Sequence, residues 1–535
     1  MKGEKMTEEI VQRTSYDDVP YESNPFPQTH PQRLAALAAL FGLNPPDIQK
    51  CRVLEMGCAS GGNLIPMAYH FPEAEFVGVD LALEQVKVGR NVIEDLGLKN
   101  IRIENASIMD IDESWGKFDF VISHGVFSWV PGEVQEKMMA VCSENLTDGG
   151  LAYLSYNVYP GWHMRGMIRH MMLYHTAQFE DQPRKVQQAR ALVDFLAKSV
   201  PTENNYYGLL LKSEMDLLKK SKDYYLFHEH LEDRNEPMYF HQFAEMANKH
   251  GVQYLGESDF STMLTSGFSK EVSETLKRVS KNIIQTEQYM DFVRNRMFRQ
   301  TIMCKTGSPV NRNVTADRLE KYLFASSAKA QDDLTDLSAE TRITFKSPKG
   351  PSISISRPIT KAALFALKEV WPKALGIDEL TAAAKKKLVE EGIAEAEKVE
   401  DAQFKQILLA DMLQCMTISL VEYHLWQGDF VSEVSEKPKV SPLGAAYAKM
   451  RPRTVNQRHE TVPLDAALMN MIPLADGTRD KAALVEGMVA LVKEGVLSLK
   501  REGKPVEDPE FIQTTMEKVV ENGLNYLKNN ALLVG

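Results

Sequence analysis

The stretch VLEMGCASGGN, Val53–Asn63, constrains the fold most. A short apolar run meets a turn carrying Gly57, Ala59, Gly61 and Gly62, and a helix-like pattern follows to His70. That is the first half of a β-α unit. The same rhythm continues downstream. AEFVGVD reads as a strand and Leu83–Leu96 as a helix; IRIEN and FDFVISH read as strands, Glu133–Asn145 as a helix, and GLAYLSYN as a strand. Alternation of this kind argues for an α/β fold with a doubly wound, mostly parallel sheet.

The chain has 535 residues, too many for one core, so two to four domains are expected. With 44% hydrophobic and 25% charged residues it has the composition of a soluble globular protein. Residues 1–32 form an arm whose segment SYDDVPYESNPFPQTHP has too many prolines for a helix and too many aromatics for a free tail. RLAALAALFGL, Arg33–Leu43, reads as a helix. A Met-, Leu- and Tyr-rich helical stretch, residues 162–236, interrupts the sheet domain, which comprises 33–161 and 237–306. The last sheet strand is expected at FRQTIMCK, Phe298–Lys305. Beyond a linker at TGSPVNRNV, residues 315–430 and 440–535 read as two C-terminal α+β, winged-helix-like modules.

Charge and cysteine usage exclude several function classes. A net charge of −11 and the absence of a basic recognition helix argue against nucleic acid as a partner. The charged start MKGEKMTEEI is unlike a signal peptide, and no apolar run is long enough for stable membrane insertion. Cys51, Cys58, Cys142, Cys304 and Cys415 are far apart and form no C-x-x-C pair, so a cytoplasmic chain with no metal is expected. His228 and His230 resemble a metal pair, but share one face only in a strand and lack a third ligand; a loop or substrate-facing role is the better reading. Lys385–Lys387 sit among glutamates and read as a solvated helix face.

The turn can cradle a ligand. By spacing alone, Gly57, Ala59 and Gly62 also fit a dinucleotide fingerprint, whereas the missing G-K-[ST] excludes a P-loop. Three features favour another adenosine ligand. Asp80, 25 positions after Glu55, ends the second strand and can accept ribose hydroxyls. Glu55, inside the turn, would repel a diphosphate and attract a cationic amino acid. Ser107 and Asp110, with Ile108 between them, end the third strand where an adenine edge would lie.

With these residues the chain resembles class I S-adenosylmethionine-dependent methyltransferases. Glu55, Gly57, Ala59 and Gly61 match their first motif, with alanine in place of its middle glycine. Asp80 matches their ribose acid, and FDFVISH and DGGLAYLS match their fourth and fifth strands. YDDVPYESNPFPQTHP, SHGVFSWVP, YNVYPGWHMRGMIRHMMLYH and HEHLEDRNEPMYFHQFA narrow the resemblance to bacterial methyltransferases with a methyltransferase regulatory domain. The best-understood of these methylate lysines of outer-membrane proteins. RTVNQRHETVPLDAALMNMIPLADGTRDKAAL resembles their C-terminal winged helix.

The resemblance implies S-adenosyl-L-methionine as cofactor, a Rossmann-like sheet, and a protein lysine as substrate. Only on the order of one lysine in 10³ is neutral at pH 7, so the amine must lose a proton. A positive sulfonium and an apolar channel both favour that loss. His124, Phe127 and Trp129 after strand four, and Tyr156, Asn157, Tyr159 and Trp162 after strand five, offer such a channel. Tyr156, Tyr159 and Trp129 are expected to ring the amine and His124 to line the cofactor pocket; Phe127 and Trp162 fit the core as well as the site. Tyr16, Tyr21, Gln28 and His30 of the arm are candidates to fold over the cofactor. The insertion is expected to form a homodimer contact. A small-molecule methyltransferase and a non-catalytic cofactor-binding regulator are the alternatives.

Overall fold

The computed structural model describes residues 22–348, 350–393, 398–501, 504–506 and 508–535; Tyr16 and Tyr21 lie outside them. A seven-stranded sheet is formed by β1 (Arg52–Met56), β2 (Glu75–Asp80), β3 (Ile101–Asn105), β4 (Phe118–Ser123), β5 (Leu146–Asn157), β6 (Val252–Glu257) and β7 (Phe298–Lys305). Its order is β3-β2-β1-β4-β5-β7-β6. β7 runs antiparallel to β5 and β6, and the remaining neighbours are parallel. The inner strands are buried along nearly their whole length, because helices cover both faces. Hence they read as continuous apolar runs.

Strand order reverses between β1 and β4, whose residues Glu55 and Ile122 are register partners. At such a reversal the loops leaving the two strands diverge and open a crevice at their carboxyl ends. The glycine turn lies there.

Helix Pro31–Leu40 is buried along nearly all its residues. Its core continues into the middle module through Leu319, Tyr322 and Phe324, and the Tyr322 hydroxyl donates to the Ala36 carbonyl at 2.7 Å. The stretch expected as an insertion carries the helices Gly161–Thr176, Gln182–Ser199, Tyr206–Lys220 and the short Asp223–Leu226, around a separate core of Ile168, Met172, Val193 and Leu211. The middle module carries the hairpin Ile343–Lys346 with Ser352–Ile355 and the helices Pro358–Val370, Ile377–Glu390 and Asp401–Thr417. The C-terminal module carries the hairpin Arg453–Val455 with Thr461–Pro463, then helices Lys481–Lys493 and Pro509–Asn529. Of the three lysines expected on a solvated face, only Lys386 is exposed, beside Glu390; Lys385 and Lys387 are half-buried and pair with Asp401 and Glu369.

The His228–His230 pair departs from expectation. Phe227–Leu231 is a π-helical turn, neither strand nor loop, and both histidines are buried. His230 Nε2 meets Glu214 Oε1 at 3.0 Å and His228 Nδ1 meets Glu232 Oε1 at 2.8 Å. The two side chains are buried against different carboxylates, each of which takes one ring nitrogen. Among the described residues no group of three or more His, Cys, Asp or Glu could hold a metal, and no helix is long and apolar enough to cross a membrane.

Candidate active site

Three residues give the glycine turn its shape by left-handed backbone: Gly57 (φ 75), Ala59 (φ 48) and Gly61 (φ 72). A Cβ at Gly57 would collide with Val126, and one at Gly61 would lie 2.6 Å from Ile103 Cδ1. Alanine at 59 pays the left-handed penalty of a side chain, roughly 1 kcal/mol, where glycine would not. The turn is pinned to β2: the Gly57 and Cys58 N–H groups both donate to the Val79 carbonyl, at 2.8 and 3.1 Å. Asp80 completes the pinning. Its Oδ2 accepts from Ala59 N at 2.7 Å and its Oδ1 from Ala82 N at 2.9 Å. Both Asp80 oxygens thus accept backbone N–H groups beside the turn.

Glu55 lies beneath the turn, 3% exposed. Its Oε1 accepts from Asn63 Nδ2 at 2.7 Å, and its buried Oε2 has no hydrogen-bond partner among the described residues. Burial, with Asp80 adding repulsion, pushes its carboxyl up to about 7 against the pull of the Asn63 bond. An orphaned buried carboxylate oxygen at a glycine turn fits a cationic ligand group. The α-ammonium of S-adenosylmethionine is such a group, whereas a diphosphate is not.

Next to β3, Ser107 caps the turn Ile108–Asp110. Its Oγ accepts from Met109 N at 3.1 Å, and Asp110 Oδ2 accepts from Ser107 N at 2.9 Å. Asp110 therefore shapes the loop, and partly buried Ile108 packs against the sheet core.

The arm crosses the crevice. Ser23 Oγ accepts from Gly62 N at 2.7 Å, and Phe26 N donates to Asn63 Oδ1 at 2.9 Å. The Phe26 ring lies 4.0 Å from the His124 ring, centroid to centroid. Gln28 lies beside the Tyr153 hydroxyl. His30 instead packs between Phe71, Trp426 and His459. It caps helix Pro31–Leu40 and does not fold over the crevice, because the chain has already turned into that helix. Sequence reading missed Phe26 and Asn63. Their only signals were an aromatic among prolines and a polar residue just after the glycines.

After β4, His124 Nδ1 lies 2.8 Å from the Tyr153 hydroxyl. Burial depresses the imidazole to about 4, so it is neutral at pH 7. Phe298 meets it edge-on at 5.9 Å. Trp129 is half-buried and packs edge-on against buried Trp162 at 6.3 Å. Tyr159 is half-buried and stacks on His163 at 3.9 Å, with Tyr239 at 5.4 Å.

Tyr156 corrects the expected ring of aromatics. It is 1% exposed, stacked on Phe243 at 3.9 Å, with its hydroxyl 3.0 Å from Thr301 Oγ1. Side chains alternate along a strand. Tyr153 and Ser155 of β5 face His124 and Gly125, so Tyr156 must face the opposite layer. Phe127 joins it in that core.

Comparison with known proteins gives the family. Residues 53–150 match the model of a methyltransferase domain, and residues 222–305 that of a "predicted methyltransferase regulatory domain". Residues 436–532 match the PKMT C-terminal winged helix domain. The chain is 37% identical over 532 residues to uncharacterized protein RP789 of Rickettsia prowazekii, covering 98% of this chain and 94% of that one. It is 41% identical over 243 residues to uncharacterized protein RP028 of the same organism, covering 45% of this chain and 97% of that one. The solved structure of PKMT2 from Rickettsia typhi in complex with AdoHcy superposes with a TM-score of 0.87 at 30% identity, covering 96% of this chain and 100% of that one. The chain belongs to the PKMT2 family and is an S-adenosylmethionine-dependent methyltransferase that joins a methyltransferase domain, a regulatory domain and a PKMT winged helix.

Proposed function

We propose that this enzyme transfers methyl groups to lysine side chains of protein substrates. The observation that carries the reading is the uncharged aromatic surface at the end of β4, where neutral His124 sits between Phe26, Tyr153 and Phe298. Kinship with the protein lysine methyltransferase PKMT2 supports the substrate class.

The cofactor supplies an electrophilic methyl on a sulfonium. Glu55 would hold its ammonium, Asp80 its ribose, and Ser107 and Ile108 the edge of its adenine. Gly57, Ala59 and Gly61 would let the backbone approach, and His124 would line the methyl end. Trp129 and Tyr159 are the proposed rim for the entering amine. Their rings exclude water, which favours the neutral amine, and their faces attract any cation that approaches. Because His124 is neutral with a depressed affinity for protons, it orients and desolvates; it is not the base.

The insertion exposes Tyr174, Phe195, Tyr206 and Leu209, at least one from each of its three long helices. We read it as the face of a two-fold dimer. The five cysteines are free and buried, which suits the cytoplasm. Incubating the enzyme with methyl-labelled S-adenosylmethionine and a bacterial protein extract tests the substrate class. Label is expected in precipitated protein. Label confined to small molecules would contradict it.

A further inference from the structure

His459 belongs to the C-terminal module, between the two strands of its hairpin, yet its side chain reaches the cofactor crevice. It is 2% exposed, adopts left-handed backbone (φ 60), and places Nε2 2.8 Å from Asn63 Oδ1. The same oxygen receives the Phe26 N–H at 2.9 Å. A backbone N–H can only donate, so this atom of Asn63 is the carbonyl oxygen, and its amide nitrogen is the one that donates to Glu55 Oε1 at 2.7 Å. His459 must then carry its proton on Nε2. Burial and nearby His70 push its pKa down to about 3, so the ring is the neutral Nε2–H tautomer. A continuous path, His459–Asn63–Glu55, ends at the orphaned Glu55 Oε2.

Arg451, two residues before the hairpin, and Arg453, its first residue, hold the arm over the same crevice. Arg451 donates to the Ser23 carbonyl at 2.9 Å, and Arg453 to Glu22 Oε2 at 2.6 Å. Ser23 is the residue that receives Gly62 N–H. One hairpin of the distal module thus grips both the carboxylate beneath the turn and the strap above it.

We propose that His459 is a positioning residue for the methyl donor, acting through Asn63 to aim Glu55 at the donor's α-ammonium, so that the C-terminal module completes the cofactor site. The proposal rests on the reading that Glu55 holds that ammonium. A donor bond into Asn63 Oδ1 also polarises the amide that holds Glu55, since linked hydrogen bonds strengthen one another. A module that shifts relative to the sheet would loosen the donor's amino-acid half and leave its adenosine half in place.

The test compares two ligands on the full chain. S-adenosylhomocysteine has both halves; 5′-methylthioadenosine lacks the amino acid. His459→Leu fills the space without a donor, and His459→Gln offers an amide N–H at similar reach. Calorimetry is expected to show His459→Leu weakening S-adenosylhomocysteine roughly tenfold, in the range of one lost hydrogen bond near a charge. Methylthioadenosine should change less than about twofold, and His459→Gln should restore most of the loss. Equal losses for both ligands with His459→Leu, no loss for either, or a Gln variant as weak as the Leu variant would overturn the proposal. If the Leu variant does not fold, His459→Met, which also lacks a donor, takes its place: selective loss of S-adenosylhomocysteine that His459→Gln restores supports the role, and equal losses for both ligands, or none, refute it. Glu55→Gln separates the underlying reading. Selective loss of S-adenosylhomocysteine upholds Glu55 as ammonium partner, and parallel loss of both ligands removes that partner and the proposal with it.

Discussion

Asp80 Oδ2 accepts the backbone N–H of Ala59 at 2.7 Å, so the carboxylate expected to meet the ribose also holds the glycine turn in shape. Removing it should therefore cost more than one ligand bond. Asp80→Ala is expected to weaken S-adenosylhomocysteine by about 1.5–3 kcal/mol or more, one to two orders of magnitude in calorimetry. Asp80→Asn keeps one acceptor oxygen and should fall between. An alanine variant within twofold of the parent would contradict the assignment.

Glu55 makes stability depend on pH. Its folded pKa of about 7 lies above its ordinary 4.5. Between these values the folded chain holds a proton that the unfolded chain has released, so stability falls as pH rises through the window. The penalty is complete above about pH 7. Ligand-free Glu55→Gln should gain stability over the parent at pH 8, on the order of 3 kcal/mol, and little at pH 4. Chemical denaturation at the two pH values reads this, and an equal difference at both would contradict it. S-adenosylhomocysteine should meanwhile bind the parent more tightly as pH rises from about 6 to 8, because the carboxylate must be ionised to attract an ammonium.

Ala59 bears the left-handed turn without being glycine. Ala59→Gly relieves side-chain strain but loosens the unfolded chain, and the first effect is larger at positive φ. Thermal melts should show a gain of up to about 1 kcal/mol with binding intact. A clear drop in melting temperature would show that the Cβ makes a contact worth more than the strain.

The insertion face predicts assembly. Light scattering should give twice the 60.3 kDa of one chain, and Phe195→Asp should shift it towards the single-chain mass. A parent protein at 60.3 kDa at micromolar concentration would remove the dimer from the account.

The sheet was legible because its signals are local. Buried parallel strands are short apolar runs, the glycine turn needs small residues at fixed places, and FRQTIMCK coincides with β7, Phe298–Lys305. Contacts made across the chain were not legible. Nothing near His459 points to Asn63, 396 positions away in sequence. Tyr156 was misplaced although β5 was found, because the two faces of a strand differ by one residue and aromatic content does not say which face meets the crevice. The π-turn at Phe227–Leu231 was not legible, because such a turn has no sequence period of its own, so His228 and His230 were read as a loop.

The most direct measurement of the central claim is residue-level mass spectrometry of protein methylated by the purified enzyme from isotopically labelled S-adenosylmethionine. The account predicts labelled methyl groups on lysine Nζ, formed faster as pH rises and the amine becomes neutral. Methyl groups found on carboxylates, asparagine or arginine, with lysines unlabelled, would contradict it.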